Sequence, residues 1–309
     1  MSILKADFSI IIVNYNVRIL IQKCLTSIFE SLKDSNLKFE VIVIDNCSAD
    51  GSNEMIKNEF KNVILIENKV NVGFPAANNQ GFNICQGSFV FMLNPDTEII
   101  DDAIEKLFHF ISKHKEYALI APKLLNTNRT HQYSVWRFPT LYYVFAELFH
   151  LNFLIKRKNY IDKDFNQLFI ADSFSGAALF FNRSLLDEIG LLNESLFWIE
   201  DIDYCFRINA AGLKMAYYPE AQIIHHIGQS AKKNYNISIS NQIYNKIKFF
   251  NTHHSHLKTN VVKLLSFFGV LFKIVSFLIL SPFKEVYRLK LKAYIYTLSR
   301  VFNPPQGIQ

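Results

Sequence analysis

Charge is scarce in this 309-residue chain: Asp, Glu, Lys and Arg make up 19% of it, against 50% hydrophobic residues. That balance excludes a disordered chain, because a chain this apolar buries enough surface to offset its ordering entropy. Cysteine is also sparse, with Cys24, Cys47, Cys85 and Cys205 far apart and no CxxC pair. The pattern argues against a disulfide framework and a structural zinc site, and the four read as reduced core thiols. The ten glycines form neither a GxGxxG turn nor a P-loop signature, so a classical dinucleotide fold and a P-loop are unsupported. No secretory signal is legible. The apolar stretch Phe8 to Val13 is too short for one and runs straight into Asn14-Tyr15-Asn16, which implies a cytoplasmic protein.

What is present is aromatic and mildly basic, with 29 Phe and a net charge of +6. A basic balance suits an anionic partner and leaves nucleic acid, a membrane surface and phosphorylated substrates open. Continuous apolar runs at 8–13 and 40–44 predict strands buried on both faces, and 63–66 and 88–93 read as a third and a fourth strand. Helical patterns fall between them. Leu20, Ile21, Cys24, Leu25, Ile28, Phe29 and Leu32 share a stripe, and 53–60, 75–86 and 101–114 follow. This alternation predicts an α/β fold with a parallel sheet flanked by helices. Beyond about 120 the alternation blurs and 126–170 reads as aromatic loop. Order returns at 174–181 and in a helix at 200–211, stopped by Gly212.

Polar residues sit just after the strands, at Asn14–Asn16, Asp45–Asn46 and Asn94–Asp96. The carboxyl edge of an open α/β sheet is where ligands bind. A carboxylate at Asp45 suits a pyrimidine N–H or a ribose hydroxyl, whereas turn and cap chemistry explains Asp50 and Ser52 better. Asn71, Gly73, Asn78 and Asn79 make a polar entry to the helix after the third strand. Glu200, Asp201 and Asp203 suit a helix N-terminus electrostatically, and Asp203 can pair with Arg207 four residues on. Neighbours on a helix diverge by about 100°, so Glu200 and Asp201 cannot both face one substrate atom.

Seven segments, SIIIVNYN, VIVIDNCSADGS, NVGFPAANNQGF, FMLNPDTEI, FSGAALFF, WIEDIDYCFR and HHIGQS, follow one another over residues 9–230. In this order they resemble the inverting family 2 glycosyltransferases of GT-A fold, especially the rhamnosyltransferase-like branch. The resemblance implies a Rossmann-like, mostly parallel sheet. Asn14, Asn16, Asp45, Asn46, Asn71, Gly73, Asn78 and Asn94 would border the nucleotide sugar. Asn94-Pro95-Asp96 stands where the family has its metal-binding DxD, with Asn replacing the first Asp, so Asp96 is implied as ligand of Mg²⁺ or Mn²⁺. A His after the catalytic helix completes that set: spacing to Ser230 favours His225, with His226 the alternative. The family's general base falls at Asp201, with Glu200 supporting. The donor implied first is dTDP-L-rhamnose, with UDP-hexoses next, and the acceptor is a cell-surface glycan or a lipid-linked saccharide. A catalytically silent sugar-nucleotide-binding scaffold is the rival reading, and it would predict loss of Asp96 or Asp201.

Residues 1–255 read as the catalytic domain, with a nucleotide-sugar half to about 125 and an acceptor half beyond it. Residues 256–309 read as a helical tail. Its stretch 261–281 is apolar at fifteen of twenty-one positions and is interrupted by Lys263 and Lys273. Length allows a membrane span, but a central Lys opposes one. Attachment at the membrane surface, with Lys stems snorkelling, is the first expectation, and packing on the protein or in a homodimer is the second. From His256 to Arg300 there are eight Lys or Arg and one acid, Glu285, so this segment carries +7 and the rest of the chain −1. The charge therefore belongs to the tail and points to an anionic membrane on the cytoplasmic side of the plasma membrane, not to nucleic acid.

Overall fold

The computed structural model describes residues 6–151, 160, 162–196, 198–226 and 235–298. The chain forms two compact units, one of residues 1–137, 162–195 and 200–227, the other of 138–161, 196–199 and 228–309.

The first unit opens with β1 (Ala6–Asn14), α1 (Arg18–Ser31), β2 (Phe39–Asp45), α2 (Ser52–Glu59), β3 (Val63–Glu67), α3 (Phe74–Ile84) and β4 (Gly87–Leu93). These four strands are parallel, in the order β3-β2-β1-β4. The chain leaves β1 toward β2 on one side and returns with β4 on the other, which creates the crevice where such sheets bind ligands. Continuous apolar runs form β1, β2 and β4 because both faces are covered, whereas the edge strand β3 is only half-buried and exposes Ile64. Phe8, Ile10 and Ile12 join a core with Ile21, Leu25 and Ile28 of α1. On the opposite face Ile11 meets α3 so closely that a Cβ on Gly81 would lie 2.6 Å from its Cγ2.

The remaining elements are β5 (Thr97–Ile99), α4 (Ala103–Lys113), β6 (Tyr117–Leu125), β7 (Val135–Trp136), β8 (Phe169–Ile170), β9 (Ser173–Phe174), β10 (Ala178–Asn182), α6 (Leu185–Glu188), α7 (Glu200–Ala210) and β11 (Lys214–His225). They extend the sheet as β4-β10-β6-β11-β5, with β10 antiparallel to both neighbours and β5 antiparallel to β11. The sheet is thus the mostly parallel, mixed one expected: β3-β2-β1-β4 pair wholly in parallel, and the antiparallel pairs lie beyond β4. The expected strand at 174–181 divides into β9 and β10 around Gly176. Strand β11 has no clear strand pattern in the sequence, because Pro219, Glu220 and Gln222 break its apolar run. The structure absorbs them as a register shift between Tyr218 and Gln222 against β6. Gly212, at φ +78°, ends α7 as expected.

The second unit is helical: α5 (Leu141–Leu148), α8 (Tyr235–His253), α9 (His256–Leu280) and α10 (Glu285–Leu298). Ser255 caps α9 by accepting the Lys258 N–H, and Thr140 caps α5 by accepting that of Tyr143. Gly269 lets α9 pack on α5, since a Cβ there would stand 2.6 Å from Leu148 Cβ. Lys246 on α8 pairs with Glu147 on α5.

Three of the four cysteines are core thiols, and burial pushes Cys24 and Cys205 up to about 12 and Cys85 to about 11. Cys47 departs from the expectation. It is exposed in the loop after β2, at φ +70°.

Candidate active site

The ends of β1 and β2 are locked together by polar side chains. Parallel pairing places Asn14 beside Asp45, and Asn14 Nδ2 donates to Asp45 Oδ1 at 2.7 Å. Asp45 Oδ2 accepts the Ser48 N–H at 2.9 Å. Asn16 closes the corner in a left-handed conformation, accepting from the Ala49 N–H while its own N–H donates to Ser48 Oγ. Asn14 and Asp45 are fully buried, so in this structure they hold the corner's shape; the Asn14 Oδ1 has no partner.

A second polar knot holds the approach to α3. Asn46 Nδ2 donates to Asn71 Oδ1 at 2.7 Å, and Asn46 Oδ1 accepts from the Val72 N–H. Gly73 supplies the turn at φ +88°, a conformation that L side chains avoid. Asn78 is turned inward and donates to the Phe74 carbonyl one helical turn back. Asn79 staples α3 to the segment before α7 through Leu192, donating to its carbonyl and accepting from its N–H.

Asn94-Pro95-Asp96 leaves the end of β4, and the three residues of β5 follow at once. That strand pairs with the end of β11, setting Thr97 opposite His225. Asp96 Oδ1 then lies 3.3 Å from His225 Nε2. His226 turns to Glu98 instead, Nε2 to Oε1 at 2.7 Å. Of the two histidine rings it is therefore that of His225 that meets the Asp96 carboxylate, while His226 donates its backbone N–H to the Asp96 carbonyl at 2.8 Å. Gly228, Gln229 and Ser230, which complete that motif, lie outside the described residues. Asn94 Oδ1 is buried without a partner two residues from Asp96. Among the described residues no group of three or more His, Cys, Asp or Glu side chains gathers as a metal cage. Asp96 and His225 bring one carboxylate and one imidazole together at this edge, two groups of the kind that ligate divalent ions.

Asp201 stands in the first turn of α7. Its Oδ2 accepts the Gly176 N–H at 2.9 Å and its Oδ1 the Ile202 N–H at 2.7 Å. Burial pushes its carboxyl up to about 6, and these two N–H groups restrain the rise by favouring the anion. Gly176 permits the approach, because a Cβ there would come within 3.3 Å of Asp201 Cβ. The next residue, Ala177, accepts the Asn94 N–H on its carbonyl at 2.9 Å, so the 176–177 backbone links the Asn94–Asp96 turn to Asp201. Glu200 is buried beside Asp201 on a diverging direction. Asp203 pairs with Arg207 as its spacing implied, at 3.0 Å, and the guanidinium also donates to the Ile189 and Leu191 carbonyls. Gly176 was legible only as part of FSGAALFF, and Gln132, which holds His225, had no sequence signal.

This architecture is the GT-A fold. A mannosyltransferase, PcManGT from Pyrobaculum calidifontis, solved with GDP-Man and Mn²⁺, is similar over 96% of this chain and 86% of its own, with a TM-score of 0.57 and 14% identity. GalNAc-T7, solved with UDP, GalNAc and Mn²⁺, is similar over 80% of this chain and 51% of its own, with a TM-score of 0.58 and 15% identity. At such identities the likeness establishes the fold alone. The sequence carries it further. The family model for glycosyl transferase family 2 matches residues 9–190, more than half of the chain, and the chain belongs to that family. Its relatives include the low-salt glycan biosynthesis hexosyltransferase Agl10 of Haloferax volcanii, 25% identical over 71% of this chain and 67% of its own. The N-acetylglucosaminyl-diphospho-decaprenol L-rhamnosyltransferase of Mycobacterium tuberculosis is 23% identical over 62% of this chain and 67% of its own. The protein is thus a glycosyltransferase that takes sugar from a nucleotide donor.

Proposed function

We propose that the protein is an inverting, metal-assisted transferase with Asp201 as general base. The observation that carries this reading is the Asp201 carboxylate itself, raised to about 6 and aimed by two backbone N–H groups. Such a group is ionised at neutral pH yet basic enough to take a proton from an acceptor hydroxyl as its oxygen attacks the anomeric carbon. A single displacement from the face opposite the leaving group inverts the configuration there. Asp96 and His225 would hold Mg²⁺ or Mn²⁺, which neutralises charge on the departing nucleoside diphosphate. Asn94, with its unpartnered oxygen, would complete that edge. Asn14, Asn16, Asp45, Asn46, Asn71, Gly73 and Asn78 shape the nucleotide-sugar pocket, the first four by holding the strand ends in place. Glu200 supports the acceptor side.

The leading donor is dTDP-L-rhamnose, on the resemblance to the rhamnosyltransferase-like branch and on the mycobacterial relative. The acceptor is a lipid-linked saccharide. The helical tail would hold the enzyme on the inner face of the plasma membrane. Support comes from α9, which alone among the described helices is long and apolar enough to cross a membrane. Its exposed stripe is Leu257, Leu264, Phe268, Val275 and Ile279, while Thr259, Ser266, Gly269 and Lys273 are buried. Its outward side is thus largely apolar, while its buried side mixes those residues with Val262, Val270 and Phe277. Lys273 sits on the inner side, 3.1 Å from His150 Nδ1, instead of snorkelling along the apolar stripe as the sequence suggested.

A panel of nucleotide sugars, with and without Mn²⁺ or Mg²⁺, tests the donor and metal assignments by thermal stabilisation and product formation. A metal-dependent response to dTDP-rhamnose is expected. A response to UDP-hexoses alone would overturn the donor, and silence toward every donor would favour a binding scaffold.

A further inference from the structure

We infer that Gln132 is a positioning residue that selects the tautomer of His225 presented to Asp96. The inference rests on the reading of His225 as a metal ligand and adds the group that makes it one. Gln132 is 5% exposed and lies just past the turn that follows β6, its N–H donating to the Leu124 carbonyl at 2.9 Å. Its side chain meets His225 twice. Nε2 donates to the His225 carbonyl at 3.0 Å, and Oε1 lies 2.8 Å from His225 Nδ1.

The direction of each bond is forced. A backbone carbonyl only accepts, so the Gln132 amide must present Nε2 to His225 O and Oε1 to the ring. Nε2 also donates to Asn126 Oδ1 at 3.2 Å, and Asn126 is itself oriented because its Nδ2 donates to the His131 carbonyl at 3.3 Å. The ring nitrogen facing Oε1 must therefore carry hydrogen. In the neutral imidazole the other nitrogen, Nε2, then bears the lone pair, and it faces Asp96 Oδ1 at 3.3 Å. Two acceptors that close repel unless a cation lies between them. Gln132 thus converts a His–Asp contact into a site that calls for a positive charge, the task that partners behind a metal-bound imidazole perform. The other face of the same logic concerns His226: among the described residues its Nδ1 meets no such partner, and its Nε2 is taken by Glu98.

The test uses the full chain. In metal-free, ¹⁵N-histidine-labelled protein at alkaline pH, long-range ¹H–¹⁵N correlations should show the His225 ring protonated at Nδ1 and bare at Nε2. A ring protonated at Nε2 overturns the inference. Mn²⁺ titration followed by electron paramagnetic resonance should show Gln132→Met binding roughly 10-fold or more weakly than wild type, with Gln132→Glu, which keeps an oxygen against Nδ1, recovering most of the loss. Unchanged affinity in Gln132→Met, or equal loss in both variants, would assign Gln132 a merely structural role. If wild type binds no Mn²⁺ at all, the metal reading fails, and the tautomer spectrum still decides the role of Gln132.

Discussion

Asp201 answers two opposing demands. Burial raises its proton affinity, and the Gly176 and Ile202 N–H groups keep its anion attainable and aimed. Replacing it by Asn should abolish transfer while leaving donor binding nearly intact, as read by product formation beside calorimetric donor titration; full activity would remove Asp201 from the mechanism. The rate of wild type should rise with pH through an apparent value near 6, since only the anion accepts the proton. Stability runs the other way. The folded carboxyl, at about 6, binds its proton more tightly than the ordinary 3.8, so the favourable contribution is present at low pH and lost as pH climbs through the folded value. The stability of wild type relative to Asp201→Asn should therefore fall between about pH 5 and about pH 8 by on the order of 1–2 kcal/mol. Urea unfolding at the two pH values measures it, and a flat difference would contradict a raised carboxyl. Residue identity was legible here: the ED pair and the NPD turn stand out in the sequence. The partners of those residues were not, because Gly176 and Gln132 act through bonds that close only when distant segments meet.

At the scale of elements, the site depends on short connections between long ones. Three residues of β5 bring Asp96 to His225, which is 129 positions away in the chain. A strand that short has too few residues for a period to show, and β11 hides its pattern behind Pro219 and Glu220. The first four strands and their helices were plain in the sequence, β1, β2 and β4 because burial on both faces demands unbroken apolar runs. Helix α3 illustrates what patterning leaves out. Gly81 is a weak helix former by propensity, yet its missing side chain is what lets α3 lie on β1 and β2, with Ile11 Cγ2 at 2.6 Å and Ile44 Cδ1 at 2.9 Å from a would-be Cβ. Gly81→Ala should destabilise the protein by about 1–3 kcal/mol despite the better helix propensity of Ala. Chemical denaturation provides the check, and a stabilised variant would show that the contact yields freely.

For the whole molecule, charge and apolar surface converge on the helical unit. The +7 of residues 256–300 accompanies an exposed stripe on α9 that includes Leu264, Phe268 and Val275. Binding to anionic vesicles should weaken in high salt, and Leu264→Glu with Phe268→Glu should lower flotation with such vesicles strongly while sparing the fold, as seen by circular dichroism. Equal flotation of wild type and the double variant would separate the tail from the membrane.

The sequence alone determined the class of fold, the polar residues at the strand ends and the charge asymmetry, because each is written in contiguous residues. Tertiary structure decided the rest. That the ring of His225 rather than that of His226 faces Asp96 follows from one strand pairing, the inward placement of Lys273 from helix packing, and the proton affinity of Asp201 from the groups that exclude water around it. Those properties depend on which surfaces meet, and chain order does not encode contact directly.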